Sequence, residues 1–472
     1  MKVLFVTPEA YPFAVSGGLG DVAGALPAAL RSRFLGCRVV MPLYEDIQPE
    51  LKEKMEFLGS ISVPVSWRRQ YCGVFEAKVG GVTYYLLDNQ YYFKRKGLYG
   101  HYDDAERFAF FSRAALEILP LIDYFPDVIH CNDWQTALLP TYHSLYYSHL
   151  PRYQTIKTLL TIHNIQYQGK YGNEILGDVL GIGEEHASLL DNEGCVNILK
   201  GGIETAHGVS TVSPSYAKEI LDPWYSYGLD SILKERSFKL RGIINGIDVD
   251  VYNPQTDSMI AHNFSAENMQ GKALNKKALQ EQMGLPLRED VPVIGIVSRL
   301  VSQKGLDLVK YALEDIMQWD VQLVVLGSGD WAYESYFDEM AAKYPEKIGL
   351  KLGFIPALAH QIYAGADLFL MPSKFEPCGL AQLISLRYGT LPIVRETGGL
   401  KDTVTDCGNK NGNGFTFQTY NGDDMKDAVH RAIGLYQNKE QWNEAVTRAM
   451  KEDHSWGQSA GEYAKLYKEL VE

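Results

Sequence analysis

The chain has 472 residues, of which 46% are hydrophobic, and a formal net charge of −13. Its length exceeds what one hydrophobic core usually organises, so two domains of roughly 200 residues each are expected. The acidic balance and the lack of a long lysine and arginine run argue against a nucleic-acid partner. No apolar run reaches the ~18 residues that a membrane span needs, so no membrane partner is expected and a globular enzyme fits best.

The cysteines and the first residues of the chain indicate a reducing compartment. The six cysteines lie far apart and form no C-x-x-C pair, which argues against a zinc site or a disulfide framework. The N-terminus, MKVLFVTPEAYP, has a short apolar run that predicts a first strand rather than a signal peptide. We expect a cytoplasmic protein, or one of the plastid stroma if a transit peptide was removed, with no metal and no cofactor.

Short runs that are apolar throughout recur along the chain between helical patterns. Such runs are typical of parallel strands that are buried on both faces. In the first half they cover 2–8, 37–44, 127–133, 158–164 and 207–213, and in the second half 291–300, 320–330, 350–355, 367–373 and 391–399. Their alternation with helices predicts open, doubly wound α/β sheets.

The pattern restarts near residue 245, after a charged and turn-rich stretch at 234–257. We therefore predict two Rossmann-like domains that face a central cleft, with a hinge near residue 245. The first covers residues 1–244 and is completed by an amphipathic C-terminal helix at 456–472, and the second covers 245–455. The apolar face of that helix comprises Tyr463, Leu466, Tyr467 and Leu470. Ligands of such sheets bind at the carboxyl ends of the strands.

A glycine pair, Gly17 and Gly18, opens the first predicted helix. The free N–H groups and positive dipole end of a helix start suit an anion. Gly18 to Ala23 also fits the G-x-G-x-x-A pattern of dinucleotide-binding proteins, but about ten residues with two prolines separate it from its strand. Because that pattern must follow its strand directly, a nicotinamide or flavin site is disfavoured. A tight turn without a ligand is the other alternative.

The segment SKFEPCGLAQL, which begins at Ser373, places Glu376 close to a second helix start. The backbone amides of Cys378, Gly379 and Leu380 suit a phosphate group. A carboxylate beside them repels phosphate but accepts hydrogen bonds from the hydroxyls of a sugar. The alternative is an acidic residue that only complements the helix dipole.

Three further strand ends carry candidate residues. In SRLVSQKG (298–305), Arg299 and Lys304 can neutralise a diphosphate leaving group, although a solvated pair is the alternative. His163 follows another strand, and no second histidine at i+4 supports a metal. Asp133 follows a third strand, where it either caps the next helix or binds a sugar.

At these residues the chain resembles bacterial glycogen synthases and plant starch synthases, which are retaining glucosyltransferases of the two-lobed GT-B fold. The resemblance runs nearly end to end and is densest over 364–404. The segments PEAYPFAVSGGLGDVAGALP, HNIQYQG, INGID and SRLVSQKG support it in the family's order. It implies glucose transfer from ADP-glucose to the non-reducing 4-hydroxyl of an α-1,4-glucan such as glycogen or starch.

The resemblance also implies roles for individual residues. The catalytic group comprises Arg299 and Lys304 on the diphosphate, Glu376 and His163 on glucose hydroxyls, and Asp21. The nucleotide-sugar group comprises Gly17, Gly18, Asn245, Phe354 (over the adenine), Cys378, Gly379, Leu380, Thr397, Gly398 and Gly399. The acceptor group comprises Glu9, Tyr92, Asp133 and Asn164. No carboxylate pair emerges for a glycosidase-like nucleophile, and the family is thought instead to react on one face of the sugar, with the leaving diphosphate deprotonating the acceptor.

One departure from the family concerns the opening motif. The family has K-T-G-G-L or K-V-G-G-L, whereas Val15 stands here in place of the lysine. A lost charged hydrogen bond costs about 1.5–3 kcal/mol, a factor of order 10 to 150. We expect a working but slow synthase. The alternatives are a catalytically weakened relative that binds or primes glucan or acts in regulation, and a GT-B enzyme that makes a small glucoside.

Overall fold

The structure, a computed structural model, describes residues Met1–Glu472. The chain divides into two compact units. Unit 1 comprises Met1–Asn245 and Trp456–Glu472, and unit 2 comprises Gly246–Ser455. None of the helices combines the length and the apolar character that crossing a bilayer requires.

Unit 1 is built on a nine-stranded sheet and a small three-stranded one. Its strands are β1 (Lys2–Val6), β2 (Gly36–Pro42), β3 (Glu56–Val65), β4 (Arg68–Val79), β5 (Val82–Asp88), β6 (Val128–Asn132), β7 (Lys157–Ile162), β8 (Lys170–Tyr171), β9 (Asp191–Asn192), β10 (Cys195–Asn197), β11 (Gly208–Thr211) and β12 (Leu240–Gly242). The large sheet has the order β12-β11-β7-β6-β1-β2-β5-β4-β3. It is parallel from β12 to β5, and β4 and β3 add antiparallel strands at one edge.

The five strands predicted in the first half are confirmed as β1, β2, β6, β7 and β11. β6 is buried at every residue. Its two polar side chains, His130 and Asn132, are hydrogen-bonded inside the core. The sequence prediction missed β3, β4 and β5, the short strands β8 to β10, and β12. The antiparallel strands β3 and β4 mix buried with exposed residues, because an edge hairpin needs only one apolar face.

Helices cover the strands of unit 1. They are α1 (Gly18–Ser32), α2 (Pro49–Lys52), α3 (Gln90–Phe93), α4 (Asp104–Glu117), α5 (Leu138–Tyr142), α6 (Ile175–Asp178), α7 (Ile198–Thr205), α8 (Pro214–Glu219), α9 (Pro223–Ser226) and α10 (Asp230–Glu235). Short 3-10 turns lie at Trp134–Thr136, Glu184–Leu189 and Ser237–Lys239, and a π-helical turn lies at His143–Tyr147. Leu19, Val22, Leu26 and Leu30 recur at helical spacing and bury one face of α1.

Unit 2 has one parallel six-stranded sheet in the order β15-β14-β13-β16-β17-β18. Its strands are β13 (Val293–Val297), β14 (Gln322–Gly327), β15 (Ile348–Leu352), β16 (Leu368–Met371), β17 (Leu391–Arg395) and β18 (Phe415–Phe417). Its helices are α11 (Gln270–Gln282), α12 (Leu306–Ile316), α13 (Trp331–Lys343), α14 (Pro356–Gly365), α15 (Ala381–Arg387), α16 (Gly398–Thr403), α17 (Gly422–Gln437) and α18 (Lys439–Lys451), with a 3-10 turn at Ser302–Lys304. The five strands predicted in this half are confirmed as β13 to β17.

The last helix, α19 (Trp456–Val471), belongs to unit 1. Its buried face includes Tyr463 and Tyr467. The Tyr467 hydroxyl lies 2.7 Å from His130 Nδ1 in the central strand β6, and both side chains are buried. A hydrogen bond inside the core fixes the position of the helix along the sheet, because a buried polar group left unpaired is costly.

Candidate functional site

The predicted residues of unit 1 gather at the carboxyl ends of three neighbouring strands. Glu9 follows β1, Asp133 follows β6, and His163 follows β7. These strands are adjacent and parallel in the sheet. They therefore deliver the three side chains to one edge, where open α/β sheets bind ligands.

Glu9 holds the glycine loop (residues 15–20) in place. Its buried carboxylate accepts hydrogen bonds from the Ser16 amide at 3.1 Å and the Gly20 amide at 2.9 Å. The Ser16 hydroxyl and the Tyr99 hydroxyl also donate to it, the latter at 2.9 Å. Four donors occupy the carboxylate, so in this structure Glu9 acts within the protein. The prediction placed Glu9 on the acceptor side and did not include this role.

Val15 covers the first turn of α1. Its two γ carbons lie 2.7 and 2.8 Å from the point where a Cβ on Gly20 would stand. No side-chain atom at Val15 replaces the charge of the family's lysine, and the Ser16 hydroxyl is already bound to Glu9. A Cβ on Gly17, the N-cap of α1, would meet no atom within 4 Å, so the backbone there is open to close approach.

Two carboxyl groups of this edge have raised pKa values. Desolvation, and next the charge of Glu9, raise the pKa of Asp21 to about 6, although the residue keeps contact with solvent. Desolvation raises the pKa of Asp133 to about 7, opposed by hydrogen bonds from the backbone amides of His163 and Asn164. Asp133 also has φ 58° and ψ −177°, a backbone conformation that is strained for a residue with a side chain.

The raised pKa of Asp133 predicts a pH-dependent stability of unit 1. The folded chain keeps this proton up to about pH 7, whereas an unfolded aspartate loses it near pH 3.9. Stability therefore falls as the pH rises between these values, by at most about 1.4 kcal/mol per pH unit, and by less because Asp133 is partly exposed. We expect the melting temperature of Asp133→Asn to fall less steeply than that of the wild type from pH 5 to 7. Parallel slopes in calorimetry would contradict this.

His163 is neutral and its tautomer is fixed by its neighbour. Burial lowers the pKa of His163 to about 3. The Nε2 atom lies 2.9 Å from Asn132 Oδ1, while the Asn132 amide nitrogen donates to the Val6 carbonyl at 3.0 Å. Since Oδ1 can only accept, Nε2 carries the proton. The other ring nitrogen, Nδ1, is thus an acceptor suited to a hydroxyl group.

The structure corrects one predicted acceptor residue and places two others. Tyr92 is fully buried and its hydroxyl donates to Glu106 at 2.5 Å, so its ring is part of the core of unit 1 rather than a contact surface. The Asn164 side chain accepts from the Gln166 amide at 3.0 Å. Asn245 is buried, and its Oδ1 accepts no hydrogen bond.

In unit 2, Lys304 and Glu376 form an ion pair. Lys304 Nζ lies 2.7 Å from Glu376 Oε2, and both side chains are largely buried. The Ser373 hydroxyl donates to the same oxygen at 3.0 Å. The cation predicted for a diphosphate and the carboxylate predicted for a sugar are therefore neighbours, although 72 residues separate them.

Glycines let the loops of this region interlock. The three-loop cluster comprises residues 298–305, 372–380 and 396–399, which follow β13, β16 and β17. A Cβ on Gly305 would stand 2.0 Å from the Pro372 carbonyl oxygen, and one on Gly399 2.1 Å from the Cys378 oxygen. The Gly399 amide donates to the Glu376 carbonyl at 3.1 Å. These approaches require glycine.

The Gln382 side chain stabilises the three-loop cluster through hydrogen bonds. Its side-chain nitrogen donates to the Cys378 carbonyl at 3.0 Å and to the Thr403 hydroxyl at 3.3 Å. It thus ties the turn before α15 to α16, whose N-cap is Thr397 and whose first residue is Gly398. α15 itself begins at Ala381 with Leu380 as its N-cap, so the Cys378 and Gly379 amides precede the helix.

Two predicted residues of unit 2 lie at the surface. Arg299 follows β13, is exposed and forms no ion pair. Phe354 follows β15, and its ring is 87% exposed, which leaves a face for stacking.

Sequence reasoning missed the partners that orient these groups. They are Tyr99, Asn132, Ser373 and Gln382. Asn132, Ser373 and Gln382 stand beside or within motifs that the prediction used, so their position in the sequence was a signal. Tyr99 carried none, because its contact with Glu9 spans 90 residues.

Comparison with known proteins identifies the family. Residues 2–235 match the starch synthase catalytic domain model, and residues 280–449 match the glycosyl transferases group 1 model. The glycogen synthase of Geobacillus thermodenitrificans is 51% identical over 475 residues, which cover 100% of this chain and 98% of the relative. That of Alkaliphilus metalliredigens is 50% identical with both chains fully covered. The chain belongs to the glycogen and starch synthase family.

A solved structure agrees with this membership. The catalytic domain of starch synthase IV from Arabidopsis thaliana, bound to ADP and acarbose, superposes with a TM-score of 0.92 and 35% identity. Each chain is 99% covered. The predicted fold class, a GT-B fold with two Rossmann-like domains, is thereby confirmed, and this glycogen synthase relative is a glycosyltransferase.

Proposed function

We propose that this glycosyltransferase moves glucose from ADP-glucose to the 4-hydroxyl at the non-reducing end of an α-1,4-glucan, with retention of configuration. The donor's C1–O bond breaks and leaves its electrons on the diphosphate. The acceptor O4 bonds to C1 on the same face, and its proton passes to the diphosphate. ADP and a glucan longer by one glucose are the products.

The observation that carries the proposal is the pairing of Lys304 with Glu376. A nucleotide sugar presents a diphosphate and hydroxyl groups within one ligand, and this pair offers an ammonium and a carboxylate 2.7 Å apart. Donor binding exchanges the partners, so that Lys304 meets the diphosphate and Glu376 accepts from glucose hydroxyls.

Other groups of unit 2 suit the same donor. Arg299, which has no ion-pair partner, supplies a second cation for the charge that develops on the diphosphate. The Gly379 and Leu380 amides in the turn before α15 add donors, and Phe354 offers its ring to the base. The Thr397 and Gly399 amides already donate to the carbonyls of Arg395 and Glu376, so the predicted phosphate contacts of that loop would require these bonds to be exchanged. The relative from Arabidopsis, solved with ADP, supports a nucleoside diphosphate as the ligand class.

Unit 1 offers groups for the sugar and the acceptor. Neutral His163 presents an unprotonated nitrogen to a hydroxyl, and Asn245 has a buried oxygen with free acceptor capacity. Asp133 and Asp21, with pKa values near 7 and 6, complete the polar edge. No carboxylate is assigned as a nucleophile, which is why retention is attributed to reaction on one face.

Radiolabelled transfer assays test the function. We expect label from ADP-glucose in glycogen and in maltotriose, little from UDP-glucose, and none without a glucan primer. Glycogen binding without release of ADP would overturn the proposal in favour of a glucan-binding or priming protein. That alternative is based on Val15, which stands in place of the family's lysine. Transfer to a small aglycone without a primer would indicate a different GT-B activity.

The variant Val15→Lys tests whether charge limits this enzyme. The family resemblance implies that the glycine loop approaches the donor phosphates, and a lysine at the start of α1 would add a charged hydrogen bond of about 1.5–3 kcal/mol there. We expect kcat/KM for ADP-glucose to rise by a factor of order 10 to 150. Val15→Met, whose unbranched side chain is one atom shorter and neutral, is the control. An equal gain from methionine, or no gain from lysine, would show that charge at residue 15 is not limiting.

A further inference from the structure

We propose that a buried ion pair on α4, formed by Arg107 and Asp104, positions the glycine loop for glucose transfer. This positioning pair acts at a distance, through Tyr99 and Glu9. The inference rests on the proposed function for the ligand that the loop meets. It adds two residues that contact no ligand themselves.

Arg107 is an arginine inside the core of unit 1, with no exposure to solvent. Its Nη1 atom lies 2.5 Å from Asp104 Oδ1, and its Nε donates to the Tyr92 carbonyl at 2.8 Å. The rings of Phe93 and Phe108 flank the guanidinium at 5.5 and 5.3 Å, and Nη2 is buried without a hydrogen bond. Apolar side chains of similar volume often stabilise a core as well as a buried ion pair does. Packing alone therefore does not account for this arginine.

The positioning pair fixes the backbone on both sides of Tyr99. Arg107 Nη1 donates to the Leu98 carbonyl at 3.1 Å. Asp104 Oδ2 accepts from the Gly100 amide at 2.8 Å. The chain between α3 and α4 forms no helix or strand, so these two side chains supply the hydrogen bonds that regular structure would otherwise give.

Tyr99 connects the positioning pair to the glycine loop. Its hydroxyl donates to Glu9 Oε2 at 2.9 Å. The same oxygen accepts from the Ser16 amide at 3.1 Å, and Oε1 accepts from the Gly20 amide at 2.9 Å. A displaced Tyr99 would therefore remove one donor from the carboxylate that binds the loop at two points.

A neighbouring ion pair offers a matched comparison. Asp103, the residue before Asp104, lies 2.5 Å from Arg95. Arg95 also donates to the Tyr91 carbonyl at 2.7 Å. Neither side chain of this second pair bonds to residues 98–100. If an ion pair at the start of α4 only stabilises the fold, the two aspartates should behave alike.

The substitutions Asp104→Asn and Tyr99→Phe each remove a single link between α4 and the loop. Asparagine keeps the size of aspartate, but an NH2 group replaces one acceptor oxygen, so the bond to either Gly100 or Arg107 is lost. Phenylalanine removes only the hydroxyl that donates to Glu9. Each lost hydrogen bond corresponds to a factor on the order of 10.

Hydrogen exchange at the amides of the glycine loop measures how firmly the loop is held, without any substrate. In Asp104→Asn and in Tyr99→Phe we expect the Ser16 and Gly20 amides to exchange about tenfold faster than in the wild type. In Asp103→Asn we expect rates within about twofold of the wild type. Unchanged exchange in folded Asp104→Asn overturns the proposal, as does an equal increase in Asp103→Asn.

Transfer kinetics separate positioning from stability. At a temperature where all variants are folded, we expect kcat/KM for ADP-glucose to fall about tenfold in Asp104→Asn and to stay within about twofold in Asp103→Asn. Because both links act on one carboxylate, the double variant Asp104→Asn/Tyr99→Phe should lose little beyond the larger single loss, whereas independent effects would multiply. Multiplied losses, or a kcat/KM of Asp104→Asn within about twofold of the wild type, overturn the proposal.

Two further outcomes are decided in the same experiments. If Asp104→Asn fails to fold, Tyr99→Phe is compared with Tyr102→Phe, which removes an exposed hydroxyl from the same segment. Faster exchange and slower transfer in Tyr99→Phe alone then support the proposal, and a lack of either effect overturns it. A wild type that transfers no glucose from ADP-glucose overturns the proposed function, and the exchange rates then decide the positioning by themselves.

Discussion

Replacing Lys304 with glutamine is expected to lower kcat for glucose transfer by a factor on the order of 10² to 10³, the effect of removing one donor that stabilises developing charge. The Lys304 ammonium lies in the three-loop cluster, 2.7 Å from Glu376 Oε2. It is the single cation of that ion pair. Glutamine keeps the length and polarity of the side chain but not its charge. The measurement is single-turnover transfer at saturating ADP-glucose.

Two controls separate catalysis from a change in stability. Lys277→Gln removes an exposed lysine from α11 and should leave kcat unchanged. Lys304→Gln also leaves Glu376 buried beside Ser373 without its cation, so the double variant with Glu376→Gln removes that unpaired charge. We expect the double variant to regain thermal stability but not activity. A Lys304→Gln enzyme that keeps more than a tenth of wild-type kcat would contradict the assignment.

Gly399→Ala is expected to destabilise unit 2 and abolish transfer. The added Cβ would stand 2.1 Å from the Cys378 carbonyl oxygen, a distance that real Cβ atoms essentially never show, and the contact is with backbone that cannot rotate away. Overpacking costs about 1–3 kcal/mol, and contact with rigid backbone places this substitution at the upper end of that range. A loss of about 3 kcal/mol corresponds to a fall of about 6–12 °C in the melting temperature for a unit of this size.

Gly434→Ala is the matched control for this substitution. Gly434 lies within α17, and a Cβ there meets no atom within 4 Å. Because alanine is the better helix former, the control should gain up to about 1 kcal/mol. Calorimetry of both variants, together with transfer assays at a temperature where both are folded, measures the difference. Equal melting temperatures for the two variants would show that the loops around Gly399 separate to accept the added Cβ without loss of stability.

Local sequence patterns predicted the strands but not the contacts between loops. Runs that are apolar throughout identified ten parallel strands, because burial on both faces leaves a signal within each run. The pairing of Lys304 with Glu376 depends on which strands are neighbours in the sheet, and β13 lies beside β16. No pattern within either segment records that order.

The positions of single side chains were predicted least well. Tyr92 was expected at a contact surface, yet α3 turns its ring into the core, while its neighbour Tyr91 faces solvent. Glu9 was expected on the acceptor side, and the four hydrogen bonds that its carboxylate accepts from the protein were not foreseen. In both cases the outcome depends on the direction of one short segment, which residue types alone do not determine. The roles of the site residues in transfer remain predictions for the experiments above.

The return of α19 to unit 1 has a consequence for the order of events on the ribosome. Unit 2 is one uninterrupted stretch and can fold as soon as it has been synthesised, whereas the sheet of unit 1 waits for the residues made after Ser455. Until α19 has been synthesised, His130 has no hydrogen bond with Tyr467, and the face of β6 that packs against α19 is uncovered. A nascent chain that has reached Ser455 therefore has a unit 2 that can be folded and a unit 1 that is incompletely folded. Chaperones would bind the apolar surface that unit 1 still exposes.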